Sequence, residues 1–214
     1  MKKISIILLA AIVLLGVTAC ASPVPTPTDS GSPEPSNNSR PPEPSDTPDG
    51  SENTGGKALV AYFSRTGNTE AIADMIAENT GADLFKVETV TPYPENYEEC
   101  TAVAQQEQNS GARPELSTHV EDMSQYDIIY IGYPIWWGKM PMAMFTFLEE
   151  YDFSGKTILP FCTHGGSGLG SSADDIMTLC PDAQVLEGLA VSGSSAGSSQ
   201  SSVENWLAGL ELAD

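Results

Sequence analysis

Lys57-Ala-Leu-Val-Ala-Tyr-Phe63, running straight into Ser64-Arg65-Thr66-Gly67-Asn68-Thr69, decides the fold of this chain. After its opening lysine the first stretch is continuously apolar. That suits a strand buried on both faces, because a strand with one wet face would alternate. From Asn68 the period changes. Ala71, Ile72, Met75 and Ile76 recur at helical spacing, and the pattern ends before Gly81. A buried strand that turns through hydroxyls into a helix is the repeating unit of parallel α/β architecture.

The same alternation continues outward. Asp83 to Glu88 reads as a second strand and Tyr126 to Gly132 as a third, followed by a helix over Met142 to Tyr151. Thr157 to Cys162 is a fourth strand, Ser171 to Leu179 a helix stopped by Pro181, and Ala183 to Leu186 begins a fifth strand. The last helix is placed at Ser201, where Ser201-Ser-Val-Glu204 has the form of a capping box. Thr91 to Glu121 escapes the pattern and reads as an insertion of mixed helical character between the second and third strands. Strict alternation implies right-handed crossovers and a doubly wound, five-stranded parallel sheet of order 2-1-3-4-5. A ligand is then expected outside the carboxyl ends of the strands.

Upstream of the domain the composition is different. Lys2 and Lys3 precede an apolar run from Ile4 to Val17, shorter than the roughly 20 residues needed to span a bilayer core. Residues 1–19 therefore read as an export signal. Val17-Thr18-Ala19-Cys20 resembles a lipobox, with Cys20 as the lipidated residue; an ordinary signal cut near Ala19 is the alternative. Residues 20–56 hold nine of the sixteen prolines and no aromatic residue. Such a stretch cannot bury enough apolar surface to offset ordering, so it reads as a disordered linker. Its reach is between roughly 33 Å as a coil and about 110 Å as polyproline II. The expected location is extracytoplasmic, lipid-anchored to a bacterial cell membrane.

The domain at 57–214 carries six basic and twenty-three acidic residues, a formal charge of 6 − 23 = −17. That excludes nucleic acid as a natural partner and favours partners with basic docking surfaces, although acidity also keeps exported proteins soluble. Cys100, Cys162 and Cys180 are odd in number and lack CxxC spacing, so they read as buried small residues rather than a disulfide framework. His119 and His164 have no second ligand near them in sequence, and no metal site is expected.

Three loops at strand carboxyl ends carry the chemistry. In Ser64, Arg65, Thr66, Gly67, Asn68 and Thr69, hydroxyls and a glycine open a helix, which suits a phosphate held by alcohols, amides and the helix dipole. It is not a Walker A loop, because Asn68 stands where lysine should follow the glycine; a helix cap rich in Ser and Thr is the structural alternative. The second loop runs Gly132-Tyr133-Pro134-Ile135-Trp136-Trp137-Gly138. Two indoles in one loop are costly to leave wet, so one is expected to pack in the core and the other to stack on a planar heterocycle. In the third loop, Thr163, His164, Gly165, Gly166, Ser167 and Gly168, the glycines allow close backbone approach, with His164 either flanking a ring or facing solvent. Gly168-Leu-Gly170-Ser-Ser-Ala173, with Glu187 beyond it, also matches a dinucleotide fingerprint. But five residues separate Cys162 from Gly168, and too little chain follows for the remaining units.

Ser-Arg-Thr-Gly-Asn-Thr, Pro-Ile-Trp-Trp-Gly and Thr-His-Gly-Gly-Ser-Gly, in that order, resemble the flavodoxin family, and within it the lipoprotein-associated branch. The resemblance covers about Ala58 to Leu212. It implies FMN as cofactor, its phosphate on Ser64 to Thr69, its ring flanked by an indole of Pro134 to Gly138 and its pyrimidine edge covered by Thr163 to Gly168. It also implies one- or two-electron transfer, with a backbone carbonyl beside the flavin N5; Gly138 is the candidate for that flexible peptide. Lys139, where an acidic residue often follows the glycine, and the histidine of the third loop depart from the family pattern.

Three functions follow as expectations: an electron carrier outside the cytoplasmic membrane, an FMN-dependent NAD(P)H:quinone-type oxidoreductase, or a cofactor-free surface lipoprotein that binds a partner. The flavin would carry the redox chemistry, and a strongly negative domain should lower its potential.

Overall fold

The computed structural model describes residues 56–210. The expected signal peptide, Cys20 and all of the linker except Gly56 lie outside the described residues. Element order is β1 (Ala58–Tyr62), α1 (Asn68–Thr80), β2 (Asp83–Lys86), α2 (Tyr97–Ser110), β3 (Ile128–Pro134), α3 (Met142–Glu150), β4 (Thr157–His164), α4 (Ser172–Leu179), β5 (Gln184–Val185), β6 (Leu189–Ser192) and α5 (Gln200–Ala208). Every ladder is parallel, and the strands run β2-β1-β3-β4-β5 across the sheet, with β6 also beside β4. This is the expected doubly wound order.

The two-residue period of the strands sorts their side chains onto two faces. Leu59, Ala61, Ile129, Ile131 and Ile158 join one core with α3 and α4, through Phe147, Leu148 and Ile176. Val60, Tyr62, Tyr130, Leu159 and Phe161 join the other with α1 and α5, through Ile72, Ile76 and Val203. Both faces of β1, β3 and β4 are therefore dry, which is why those strands read as unbroken apolar runs. At Gly132 a Cβ would meet the Phe161 ring at 2.1 Å, so two packed strands meet there with no room for a side chain.

The fifth strand differs from expectation. It breaks into β5, paired with Thr157 and Ile158, and β6, paired with Phe161 to His164. The break lies opposite Pro160. Leu186 N–H bonds Ile158 O on that side of β4, so by the two-residue period the Pro160 nitrogen faces the same neighbour with no hydrogen to donate.

Two further readings are corrected. Thr91 to Glu121 is not an extra insertion; it holds α2, the helical crossover from β2 to β3, capped by the Asn96 side chain on Glu99 N–H and ended at Gly111. The capping box at Ser201 does not form. The chain enters α5 from a 3-10 turn, Gly193–Ser198, so the residue before the helix, Ser199, is nearly helical (φ −96, ψ 15) rather than extended. Its hydroxyl bonds Ser195 O, and Glu204 pairs with Gln200 instead.

Candidate functional site

The carboxyl ends of β1, β3 and β4 open into a cavity of about 690 Å³. Its lining includes Ser64, Arg65, Thr66, Asn68 and Thr69 from the first loop, Pro134, Ile135, Trp136 and Trp137 from the second, and Thr163, His164 and Gly165 from the third. Three loops far apart in sequence therefore converge. No carboxylate is among the lining residues, although the domain carries twenty-three. An anion can enter there without meeting the charge that dominates the rest of the surface.

The first loop is built around two features. Gly67 adopts φ 84 as the residue before α1, a left-handed turn that an L side chain resists, and no side chain caps the helix behind it. Thr69 is 1 % exposed, and its hydroxyl meets the Thr163 hydroxyl at 2.9 Å, tying the first loop to the third. The Ser64 hydroxyl oxygen is buried with no hydrogen-bond partner among the described residues. A buried hydroxyl left unpaired costs about 1–3 kcal/mol, so it marks a position where a polar ligand atom belongs. Arg65 lines the cavity while its side chain is bonded to backbone further along the chain. Its guanidinium donates to Glu95 O at 2.9 Å and Pro94 O at 3.4 Å, so it reaches toward the start of α2.

The second loop is a closed hairpin. Trp136 and Lys139 exchange backbone bonds of 2.8 and 3.1 Å, and the two residues between them, Trp137 (φ 51) and Gly138 (φ 79), both have positive φ. That is the pattern of a type I′ turn. Among the described residues Trp137 is the one non-glycine in that region, a conformation that costs an L residue roughly 1–2 kcal/mol. The two indoles are placed differently. Trp136 packs edge-on against Phe63 and Tyr93, with ring centres 5.5 and 5.0 Å away. Trp137 stays 56 % exposed on the cavity wall, its indole N–H bonded to Thr101 O at 2.9 Å.

Gly138 does not reach the cavity lining. Its carbonyl accepts from Ser171 N–H at 3.0 Å and lies against Gly170, where a Cβ would sit 2.1 Å away. The carbonyl nominated as the flexible one is thus already engaged by the chain. Lys139 turns away to Asp175 at 2.8 Å.

In the third loop, His164 Nδ1 accepts from Gly166 N–H at 2.9 Å, which leaves Nε2 as the nitrogen free to meet a ligand. Gly166, Ser167 and Gly168 are not among the lining residues, nor is Gly67 of the first loop. The Cys162 thiol contacts Gly168 O, and burial pushes its pKa up to about 12, so it is no thiolate nucleophile. The stretch from Gly168 to Ala173 packs on the second loop and lies outside the cavity, while Glu187 O accepts from the Trp206 indole. No dinucleotide turn is formed there.

Two segments were missed. Tyr97, Cys100, Thr101 and Ala104 of α2 line the cavity at positions i, i+3, i+4 and i+7, a helical stripe hidden because the segment was read as an insertion. Ser192, Gly193 and Ser194 line it as well, because β6 pairs Ser192 with His164. The signal was the unassigned serine-rich stretch after the fifth strand. Among the described residues, no group of His, Cys, Asp and Glu could hold a metal.

A flavodoxin family model matches residues 57–210. Over 94 residues the chain is 33 % identical to an NAD(P)H dehydrogenase (quinone) of Cupriavidus metallidurans, covering 44 % of this chain and 46 % of that protein. Over 106 residues it is 28 % identical to flavodoxin 1 of Escherichia coli, covering 48 % and 46 %. The chain thus spans about half the length of the curated relatives it matches. Among solved structures, a candidate flavoprotein of Bacteroides eggerthii is 32 % identical with a TM-score of 0.65, covering 73 % of this chain and 99 % of that one. A Lactobacillus acidophilus flavoprotein in complex with FMN shares the fold at 21 % identity and a TM-score of 0.58, covering 71 % and 99 %. With the sheet order, the three converging loops and the family match in agreement, the chain belongs to the flavodoxin family.

Proposed function

We propose that this chain binds FMN in the cavity and passes electrons to a redox partner from outside the cytoplasmic membrane, held there by lipid on Cys20 and spaced from it by residues 20–56. The observation that carries the reading is the buried, unpartnered Ser64 hydroxyl beside an uncapped helix N-terminus. Alcohols and amides at such a point fit a phosphate monoester, and the absence of lining carboxylates removes the main charge against it. Thr66 and Asn68, exposed on the same loop, complete the polar donor set. Trp137 offers an indole face at the wall for the ring, and His164 and Gly165 border it from the third loop. The bound flavin would supply the one- and two-electron chemistry. The protein's part is to grip the phosphate, orient the ring and limit water around it.

An FMN-dependent NAD(P)H:quinone-type oxidoreductase is the second reading. It is favoured by the 33 % identity to a protein of that name, over under half of either chain. A cofactor-free binding lipoprotein is disfavoured by the strained Trp137 backbone and the orphaned Ser64 hydroxyl, neither of which stabilises the chain alone.

Adding FMN to the purified protein and recording its absorption and emission tests the reading. Tight binding is expected, and Ser64→Ala should weaken it by about 1.5–3 kcal/mol, the worth of a hydrogen bond to a charged group. No binding by the wild-type protein at micromolar FMN would end the proposal. Rapid bleaching by NADH or NADPH without a helper reductase would favour the oxidoreductase. For the tether, Cys20→Ala should release the protein from membranes into the medium; retention of that variant would refute the anchor.

A further inference from the structure

The third loop carries no Phe, Tyr or Trp, so a planar ring bordered by Trp137 would meet only His164 and Gly165 there. The structure brings an aromatic ring from elsewhere. Tyr97, the first residue of α2, lines the cavity while 71 % exposed, whereas Tyr62, Tyr126, Tyr130 and Tyr133 are all buried. An amphipathic ring left that wet at a cavity wall has apolar area to gain from a ligand.

Its placement is also fixed. Trp137 donates its indole N–H to Thr101 O, and Thr101 lies four residues, about 6 Å along the helix axis, from Tyr97. Tyr97, Cys100, Thr101 and Ala104 form one face of α2. The three after Tyr97 are small, so the tyrosine is the large group at the end of a low wall. The start of the helix is held twice. Asn96 caps it through Glu99 N–H at 3.0 Å, and Arg65 of the first loop grips Glu95 O at 2.9 Å, two residues before Tyr97.

We propose that Tyr97 is a second aromatic wall for the planar ring of the cavity's ligand, and that Arg65 serves as its positioning residue instead of as a phosphate ligand. This rests on the FMN reading above. It assigns the affinity for the ring in part to a helix outside the three loops, and it couples the first loop to that helix through one guanidinium.

The test is titration of the full chain with FMN and with riboflavin, following quenching of flavin emission, in wild type, Tyr97→Phe, Tyr97→Ala, Arg65→Gln and the Arg65→Gln/Tyr97→Ala double variant. Tyr97→Ala should weaken both ligands equally, by roughly three- to tenfold, the worth of one aromatic contact. It should also leave more residual emission in the saturated complex. Tyr97→Phe should stay within about twofold, because the ring and not the hydroxyl is used. Arg65→Gln should weaken FMN and riboflavin alike, and the double variant should be no weaker than Tyr97→Ala, as expected for residues acting as one unit. Unchanged affinity and emission in Tyr97→Ala, with wild type binding FMN, would overturn the aromatic wall and leave the cofactor reading intact. A loss in Arg65→Gln confined to FMN would overturn the positioning role and make Arg65 a phosphate ligand. Failure of the wild type to bind either flavin would instead remove the reading on which this inference stands.

Discussion

The first and second loops sit on the same cavity and are finished to different degrees. The second loop satisfies itself: Trp136 and Lys139 close the hairpin, Gln108 Nε2 also reaches Trp136 O at 2.7 Å, Trp137 is bonded to α2, and Gly138 O takes Ser171 N–H. The first loop does not. Ser64 has a buried hydroxyl with no partner, and Gly67 opens a helix without a side-chain cap. The difference separates two ways of binding a ligand. A self-satisfied loop offers preformed shape and loses little freedom on binding, whereas an unsatisfied one offers hydrogen bonds that are realised only when the ligand arrives.

The rigidity of the second loop rests on one close backbone approach, and breaking it should have the largest effect. Gly170 and Gly168 have nearly equal φ, 58 and 61. A Cβ at Gly170 would lie 2.1 Å from Gly138 O, while at Gly168 it would meet nothing within 4 Å. Gly168→Ala should therefore lose about 1–2 kcal/mol, the backbone cost alone. Gly170→Ala should lose more than about 3 kcal/mol, because backbone must move as well. Equal losses in urea unfolding would show that the hairpin is not held by this approach.

Within the first loop, two hydroxyls should respond with opposite sign. Thr69→Val leaves the buried Thr163 hydroxyl without its 2.9 Å partner and should cost about 1–3 kcal/mol. Ser64→Ala removes a group that has no partner to lose, and should raise ligand-free stability by about 1 kcal/mol while weakening FMN. A destabilised Ser64→Ala protein would mean the hydroxyl is already satisfied, and the contrast between the loops would fail.

The helix that braces the second loop carries a charge that opposes folding. Burial raises the Glu107 pKa from its ordinary value, against the opposing bond from Tyr93 Oη at 2.7 Å. With its pKa raised in the fold, the group favours the folded state more as pH falls from the raised value through the ordinary one, and its burden is full above that window. Glu107→Gln should therefore stabilise the protein at about pH 7, by less than about 1 kcal/mol because the group is half exposed. The gain should vanish near about pH 3, below the pKa of both states, where both hold the proton. A gain that persisted at the lower pH would point to packing instead of charge.

How much of this was legible in the residues follows from which signals are local. β1, β3 and β4 were readable because burial on both faces makes a strand continuous in apolarity, and the loops were readable because hydroxyls, indoles and glycines sit directly after those strands. α2 was not, since its cavity-facing stripe mixes Tyr97, Cys100, Thr101 and Ala104 on a helix whose other positions are mostly polar. The hold of Arg65 on Pro94 O and Glu95 O was not legible, because motif position says nothing about a long side chain's direction, and those carbonyls lie about thirty residues away. Gly138 was nominated by its place after the indoles. Its carbonyl is claimed by Ser171, a contact that depends on how β3 and β4 are paired.

The smallest effect should come from charge on the second loop. Lys139 pairs with Asp175 at 2.8 Å, but the lysine side chain is 41 % exposed and the aspartate 18 %. Asp175 also accepts from Ser171 Oγ at 3.1 Å, the same residue whose N–H holds Gly138 O. Removing the lysine thus leaves the carboxylate with a partner and the hairpin with its backbone bonds. Lys139→Ala should cost no more than about 1 kcal/mol, and less at high salt, where exposed pairs are screened. A loss as large as that of Gly170→Ala would place the hold on the hairpin in the ion pair, and the division between a shape-giving loop and a polarity-giving loop would have to be redrawn around charge.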